Sequence, residues 1–273
     1  MILLNRLGTL AAGGLTDQQL AEALARKAGE SLLKIQSAVL RAGEGREPAG
    51  LGAEGDRKSQ EYLRKALART RPQDSVLSEE AADDPRRLSA KRVWIIDPLD
   101  GTREFSEGRR DWGVHVALWS GGNLTAGAVA LPRLGLVCGA PAQPPARSTG
   151  RKIRLAVSRS RPPRIAETVA AHLGAELIPM GSAGYKVCAV ASGEVDGYLH
   201  DGGQYEWDSA APVVVARSAG LHVSRLDGTA PRYNQPDPYL PDLLVCRPEL
   251  RDRLLETIKR ARLSEAAARK TGD

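Results

Sequence analysis

Trp94-Ile95-Ile96-Asp97-Pro98-Leu99-Asp100-Gly101-Thr102-Arg103-Glu104-Phe105 is the stretch from which the fold can be read. An apolar strand runs into Asp97, Pro98 directs a turn, and Asp100-Gly101-Thr102 opens a helix or a tight turn. Two carboxylates three residues apart, across a proline-directed turn at a strand's carboxyl end, can point into one pocket. Gly101 lets a ligand approach the backbone, and the amides of Gly101 and Thr102 can bind a phosphate. D-x-x-D-G is also a common surface turn with a capping aspartate. On these residues alone, metal binding and capping both stay open.

Working outward, Ser78-Glu79-Glu80 follows the short apolar step Val76-Leu77, again placing acids at a strand end. Glu206-Trp207-Asp208-Ser209-Ala210-Ala211 puts Asp208 at the N-cap of an apolar helix, 208–219. Capping is the ordinary work of such an aspartate. Together, Glu79, Asp97, Asp100 and Asp208 supply oxygen ligands for more than one hard cation. Cys138, Cys188 and Cys246 stand far apart, as do the four histidines. Scattered Cys and His argue against zinc, whereas carboxylates suit magnesium.

Around this centre the chain reads as helix and strand in turn. A helix begins near Leu15, with Thr16 or Asp17 capping and Leu20, Leu24, Leu32, Ile35 and Val39 at helical spacing. Residues 42–55 read as a glycine-rich, charged loop, and a second helix is expected over 57–69. Strands are expected over 93–97, 114–119, 125–131 and 135–138. The proline-rich 140–152 segment reads as a domain boundary. Beyond it come strand 153–157, helices 163–173 and 183–191, strand 195–200, helix 208–219, strand 243–246 and a charged helix from 248. This predicts a mixed α/β (α+β) chain of two domains, 1–150 and 151–273. The first carries most of the acids. Gly50-x-Gly52-x-x-Gly55 matches a dinucleotide fingerprint in form, but no strand precedes it. It is read instead as a segment that moves over the site.

Composition narrows the function. The chain is 42% hydrophobic and 26% charged, which suits a globular protein and not a disordered or fibrous one. Apolar runs such as 211–216 are too short to span a membrane. Met1-Ile2-Leu3-Leu4 is broken by Asn5 and Arg6, so no secretory leader is expected. With the cysteine spacing, this points to the cytoplasm. The net charge of +6 admits nucleic acid, a membrane surface or a small anionic substrate. Seven basic residues and no acidic one lie between Arg147 and Arg164. Without a nucleic-acid-binding signature, this segment reads either as a solvated linker or as a stretch that meets an anionic substrate.

The compound pattern WIIDPLDGTREF, with SEE upstream and EWDSAAP downstream, resembles the magnesium-dependent, lithium-sensitive phosphatase superfamily of inositol monophosphatase. The resemblance covers roughly residues 15–250, with 18 residues from Glu79 to Asp97 and 108 from Asp100 to Asp208. Arg103-Glu104-Phe105, Val157-Ser158-Arg159-Ser160 and Gly181-Ser182-Ala183-Gly184-Tyr185-Lys186 resemble its CysQ-type 3′(2′),5′-bisphosphate nucleotidase branch. The resemblance implies a two-domain sugar-phosphatase fold with αβαβα layers. It implies two or three Mg²⁺ ions, inhibition by Li⁺, and Glu79, Asp97, the Leu99 carbonyl, Asp100 and Asp208 as metal ligands.

By the same resemblance, Asp56, Thr102 and Glu79 activate water, and Gly101 and Thr102 hold the phosphoryl group. Ser160, Arg161, Gly181, Ser182 and Lys186 would meet the adenosine 5′-phosphate portion, and Asp201 a substrate hydroxyl. Without the resemblance, Asp56 reads as a cap of helix 57–69 and Lys186 as a surface lysine. The implied reaction releases phosphate from 3′-phosphoadenosine 5′-phosphate or its sulfonated form. Inositol 1-phosphate and fructose 1,6-bisphosphate are the neighbouring substrates. A non-catalytic ligand-sensing paralogue is disfavoured by the intact ligand set. Family members occur as monomers and dimers, so a homodimer is among the expectations.

Overall fold

The computed structural model of the chain describes residues 14–42, 50–142 and 151–271. Five strands, β1 (Ser75–Ser78), β2 (Arg92–Asp100), β3 (Gly113–Ser120), β4 (Asn123–Leu131) and β5 (Leu136–Cys138), form the first sheet in sequence order. β1 runs parallel to β2 and the other pairs are antiparallel. The second sheet holds β6 (Arg154–Ser158), β7 (Glu176–Met180), β8 (Gly197–Tyr205), β9 (His222–Ser224) and β10 (Tyr239–Cys246), ordered β7-β6-β8-β10-β9.

Strand alternation explains the layers, because a period of two sends successive side chains to opposite faces. Trp94 and Ile96 of β2 join a core with α1 (Asp17–Ala42) and α2 (Leu51–Thr70). Val93 and Ile95 face the other way, onto α5 (Ala183–Ala191) and α6 (Glu206–Ser218). Those two helices share that core with Ala156, Tyr198, Leu243 and Val245 of the second sheet. Leu155, Val157, Leu199 and Leu244 face outward, onto α4 (Arg164–Leu173) and α7 (Arg251–Thr271). The five layers run helix, sheet, helix, sheet, helix, as the sequence implies. No described helix is long and apolar enough to cross a membrane.

Some boundaries differ from the sequence reading. α2 starts at Leu51, not 57, after Gly50 at φ +89°. Asp56 is therefore inside the helix and caps nothing. Gly52 and Gly55 belong to this helix, not to a loop that moves. A Cβ on Gly52 would lie 2.5 Å from Thr102 Cγ2, and one on Gly55 2.9 Å from Leu99 Cδ2. The fingerprint-like glycines thus permit close packing against the segment that follows β2. The short strands β7 and β9 were not expected. Of the 140–152 boundary, residues 143–150, including Arg147, lie outside the described residues.

β4 meets α6 at Gly127, where an added Cβ would stand 2.8 Å from Val214 Cβ. Overpacking of this kind costs about 1–3 kcal/mol. Gly127→Ala is expected to lower urea-unfolding stability by that much. Combining it with Val214→Ala should recover at least about 0.5 kcal/mol relative to the sum of the single changes. Strict additivity would refute the contact.

Candidate active site

The acids are assembled by an irregularity in β2. Asp97 pairs with His115 and Asp100 with Gly113, so three steps on β2 face two on β3. A regular strand would send residues three apart to opposite faces. The extra residue is a β-bulge at Pro98-Leu99, where proline is tolerated, and it lets both carboxylates approach the same site. Ser59 of α2 holds the bulge by donating to the Pro98 carbonyl at 2.7 Å. Gly101, at φ +89°, ends the strand, and α3 (Thr102–Ser106) follows. A Cβ on Gly101 would lie 3.3 Å from Trp112 Cα. Gln36 of α1 donates to the Phe105 carbonyl at 2.8 Å and fixes the far end of α3.

Other elements bring the remaining acids. β1 and β2 are parallel with Ser78 beside Ile96, so Glu79 arrives next to Asp97. Asp208 stands in the first turn of α6, three residues after the cap position Tyr205. It accepts the Tyr205 amide at 2.7 Å. It is thus not itself the N-cap that its sequence context suggests. Thr102 Oγ1 lies 3.1 Å from the Leu99 carbonyl and 3.4 Å from Asp56 Oδ1, so its one proton serves two acceptors.

Crowding these groups perturbs them. Loss of water and the Glu80 charge push Asp56 up to about 7. Glu79 keeps contact with solvent, yet surrounding protein and the Asp100 charge push it up to about 7. Burial and Asp100 do the same for Asp208, also to about 7. Burial, Glu79 and Asp100 hold Asp97 well above the ordinary carboxylate range. For Asp100, burial is outweighed by His115, Lys186 and the Ser182 hydroxyl, and its carboxyl falls to about 2. Like charges this close need a cation. Asp97 Oδ2 is buried with no hydrogen-bond partner among the described residues. Ligand atoms of Asp97, Asp100 and His115 all lie within 4.8 Å of one another. The donor set, oxygen-rich and short of donors, fits a divalent metal ion.

Beside the acids opens a cleft of about 250 Å³. Asp100, Gly101, Thr102, Ser160, Arg161, Ser182, Lys186 and Asp208 line it, as do Arg103 and His200. A model of the inositol monophosphatase family matches residues 16–263. The chain belongs to that family. It is 49% identical over 259 residues to a 3′-phosphoadenosine 5′-phosphate phosphatase of Mycobacterium leprae, covering 90% of this chain and 94% of the relative. It is 28% identical over 241 residues to the Escherichia coli 3′(2′),5′-bisphosphate nucleotidase CysQ, covering 80% and 94%. Among solved structures, CysQ from Bacteroides thetaiotaomicron superposes with a TM-score of 0.71 at 28% identity, over 86% of this chain and 99% of that one. Staphylococcal inositol monophosphatase-II, bound to inositol monophosphate, superposes at 0.74 with 18% identity, over 94% and 100%. That likeness shows the shared fold. These are phosphatases of a metal-dependent family, in keeping with the acid cluster.

Three residues assigned by resemblance to the substrate have partners within the protein, and one of them, Ser182, also lines the cleft. The Ser182 hydroxyl donates to Asp100 Oδ2 while accepting the Tyr185 amide at 3.0 Å. The Gly181 amide donates to Asp111 at 2.7 Å, and Gly181 does not line the cleft. Asp201, outside the lining, is paired with Arg262 at 3.0 Å. Lys186 is buried and not a surface lysine. Its ammonium donates to the Ser182 carbonyl at 2.6 Å and to that of Gly181 at 3.2 Å, and lies 5.2 Å from the Tyr198 ring centre. Burial lowers its pKa despite the Asp100 and Glu104 charges.

Two of the six described basic residues of the segment are paired with the protein's own acids. Arg159 pairs with Glu104 at 2.8 Å and Glu107 at 2.7 Å. Arg151 pairs with Asp196 at 3.1 Å. Arg161 lines the cleft, and its guanidinium has no partner among the described residues. Sequence reasoning gave no site role to His115 or His200, and used Arg103 as part of a branch motif without placing it in the cleft. The register of the β2–β3 hairpin, with His115 opposite Asp97, was the signal available for the first.

Burial, followed by the Lys186 charge, pulls His200 down to about 4. An unfolded histidine takes its proton near pH 6.5, so between those values the unfolded state binds more protons. Stability contributed by the neutral ring is present above about pH 6.5 and is lost as the pH falls towards 4. His200→Gln is expected to flatten this loss, read as urea midpoints at about pH 7 and about pH 5. Equal pH dependence in both proteins would refute it.

Proposed function

We propose that the chain is a magnesium-dependent phosphomonoesterase that hydrolyses 3′-phosphoadenosine 5′-phosphate to AMP and phosphate. Its sulfonated form would be cleaved the same way. The observation that carries this reading is the mixed lining of one cleft: Asp100 and Asp208 together with Arg103, Arg161 and Lys186. Acids suit a cation bound with the reacting phosphate, and cations suit a second phosphate on the same molecule. The mycobacterial relative's name supports the same substrate.

Glu79, Asp97, Asp100, Asp208 and the Leu99 carbonyl would hold magnesium. When bound, magnesium draws charge off the phosphoryl oxygens and acidifies nearby water. Thr102 Oγ1 accepts a proton from the attacking water as its own proton passes towards Asp56 Oδ1. A carboxyl near 7 suits that duty, since a general base works best with a pKa near the working pH. Glu79 stands beside Asp97 and orients the same water. The turn amides at Gly101 and Thr102 meet the phosphoryl oxygens. Water's oxygen joins phosphorus as the bond to the ribose 3′-oxygen breaks; that oxygen takes a proton from solvent, and Asp56 returns its own to solvent.

On the substrate side, Lys186 is a fixed buried charge, because its ammonium donates to the carbonyls of Ser182, Gly181 and, at 3.5 Å, Met180. Arg161 is the arm for the 5′-phosphate, where a guanidinium can bind two oxygens at once. Ser160 stands beside it in the lining.

Phosphate release should be compared for 3′-phosphoadenosine 5′-phosphate, inositol 1-phosphate and fructose 1,6-bisphosphate, with and without lithium. The nucleotide is expected to lead in kcat/KM by about a hundredfold, the worth of one or two charged hydrogen bonds. A chelator should abolish turnover, and magnesium should restore it. Arg161→Ala is expected to raise KM for the bisphosphate about tenfold or more, leaving 3′-AMP nearly unchanged. Equal effects on both would sink the second-phosphate assignment, and a preference for inositol 1-phosphate would sink the substrate.

A further inference from the structure

His115 has no part in the reaction just described, yet it sits among its acids. The ring is fully buried in the middle of β3. Its Nδ1 lies 3.2 Å from the Trp207 carbonyl oxygen, which can only accept, so Nδ1 carries hydrogen and donates. Its Nε2 lies 3.1 Å from Asp100 Oδ2, and Nδ1 stands 3.9 Å from Asp97 Oδ2. Asp100 Oδ2 receives two hydrogen bonds, from the Ser182 hydroxyl and, at 2.9 Å, from the Gly184 amide. Nε2 stands in ion-pair range of the same oxygen without a hydrogen bond of its own, while no described group hydrogen-bonds Oδ1. The ring has no room to swing, because a Cβ on Gly184 would stand 2.1 Å from Nε2.

Trp207 immediately precedes Asp208 at the start of α6. One imidazole therefore touches Asp100 at the end of β2 and the peptide ahead of Asp208, two proposed ligands carried by different layers. We propose that His115 is a positioning residue that sets the spacing of Asp100 and Asp208 and turns Asp100 Oδ1 towards the cation. This rests on the reading that these acids hold a divalent ion. Groups that orient metal ligands are worth about 10–100-fold in metal affinity.

The test is Mn²⁺ binding to the whole chain, followed by the electron paramagnetic resonance signal of the free ion. His115→Leu is expected to weaken binding by about 10–100-fold. His115→Gln, whose amide reaches about as far as Nε2, should recover most of that loss. His115→Asn, too short to reach Asp100, should not. At saturating metal the Leu variant should regain most of its kcat. Affinity within about twofold of the unaltered chain, or equal loss in the Gln, Asn and Leu variants, would overturn the proposal and leave the ring as packing. If the Leu variant does not fold, the Gln and Asn pair decides it, and equal affinities refute it. No Mn²⁺ uptake by the unaltered chain would instead mark failure of the cation reading, and the proposal would fall with it.

Discussion

The extra residue in β2 is the constraint from which the site follows. Without it, Asp97 and Asp100 would leave the strand on opposite faces, one towards the α1 and α2 layer. With it, both reach the face that carries Ile95, where α5 and α6 arrive from the other side. Much of the surrounding structure serves to hold this irregularity. α2 grips the Pro98 carbonyl through Ser59, and α1 grips the Phe105 carbonyl through Gln36. α5 starts at Ser182, whose positive φ of 48° is unusual for a side-chain-bearing residue and aims its hydroxyl at Asp100. Strain of this kind persists where its surroundings over-determine the conformation.

Electrostatics explains why so much restraint is needed. Asp97, Asp100 and Asp208 repel one another in a region poor in water, and Glu79 adds its charge from the solvent edge. The chain answers on one side with His115 and Lys186, which hold Asp100 ionised, and leaves Asp97 uncompensated. Such an arrangement is poor for folding alone and suits a site completed by positive charge from outside. Arg159, by contrast, is matched to Glu104 and Glu107 and ties the second sheet to α3, while Arg161 of the same segment faces the cleft.

The sequence was most legible where chemistry and geometry are local. Asp97-Pro98-Leu99-Asp100-Gly101-Thr102 carries its turn, its acids and its close-approach glycine in six residues. The apolar alternation of β2 and the helical spacing of α1 likewise announce their faces. What stayed hidden depended on partners distant in the chain. His115 looks like an isolated histidine until β3 is laid against β2. The bond from Ser182 to Asp100, 82 residues away, cannot be read until α5 is docked. The pairing of Asp201 with Arg262 is likewise invisible until α7 is in place. β7, with proline in a five-residue strand, carries too weak a pattern to announce itself.

Gly52 and Gly55 give the site an unusual dependence on atoms that are not there. α2 approaches the turn after β2 so closely that hydrogen is the only side chain the contact admits. The same helix carries Asp56, one residue further on. Any drift at positions 52 or 55 towards larger residues would push the helix outward and take the Asp56 carboxylate from Thr102. Glycines that resemble slack in the chain therefore act as a caliper. Here the freedom to vary the sequence is limited by steric clearance well before the reacting groups themselves are altered.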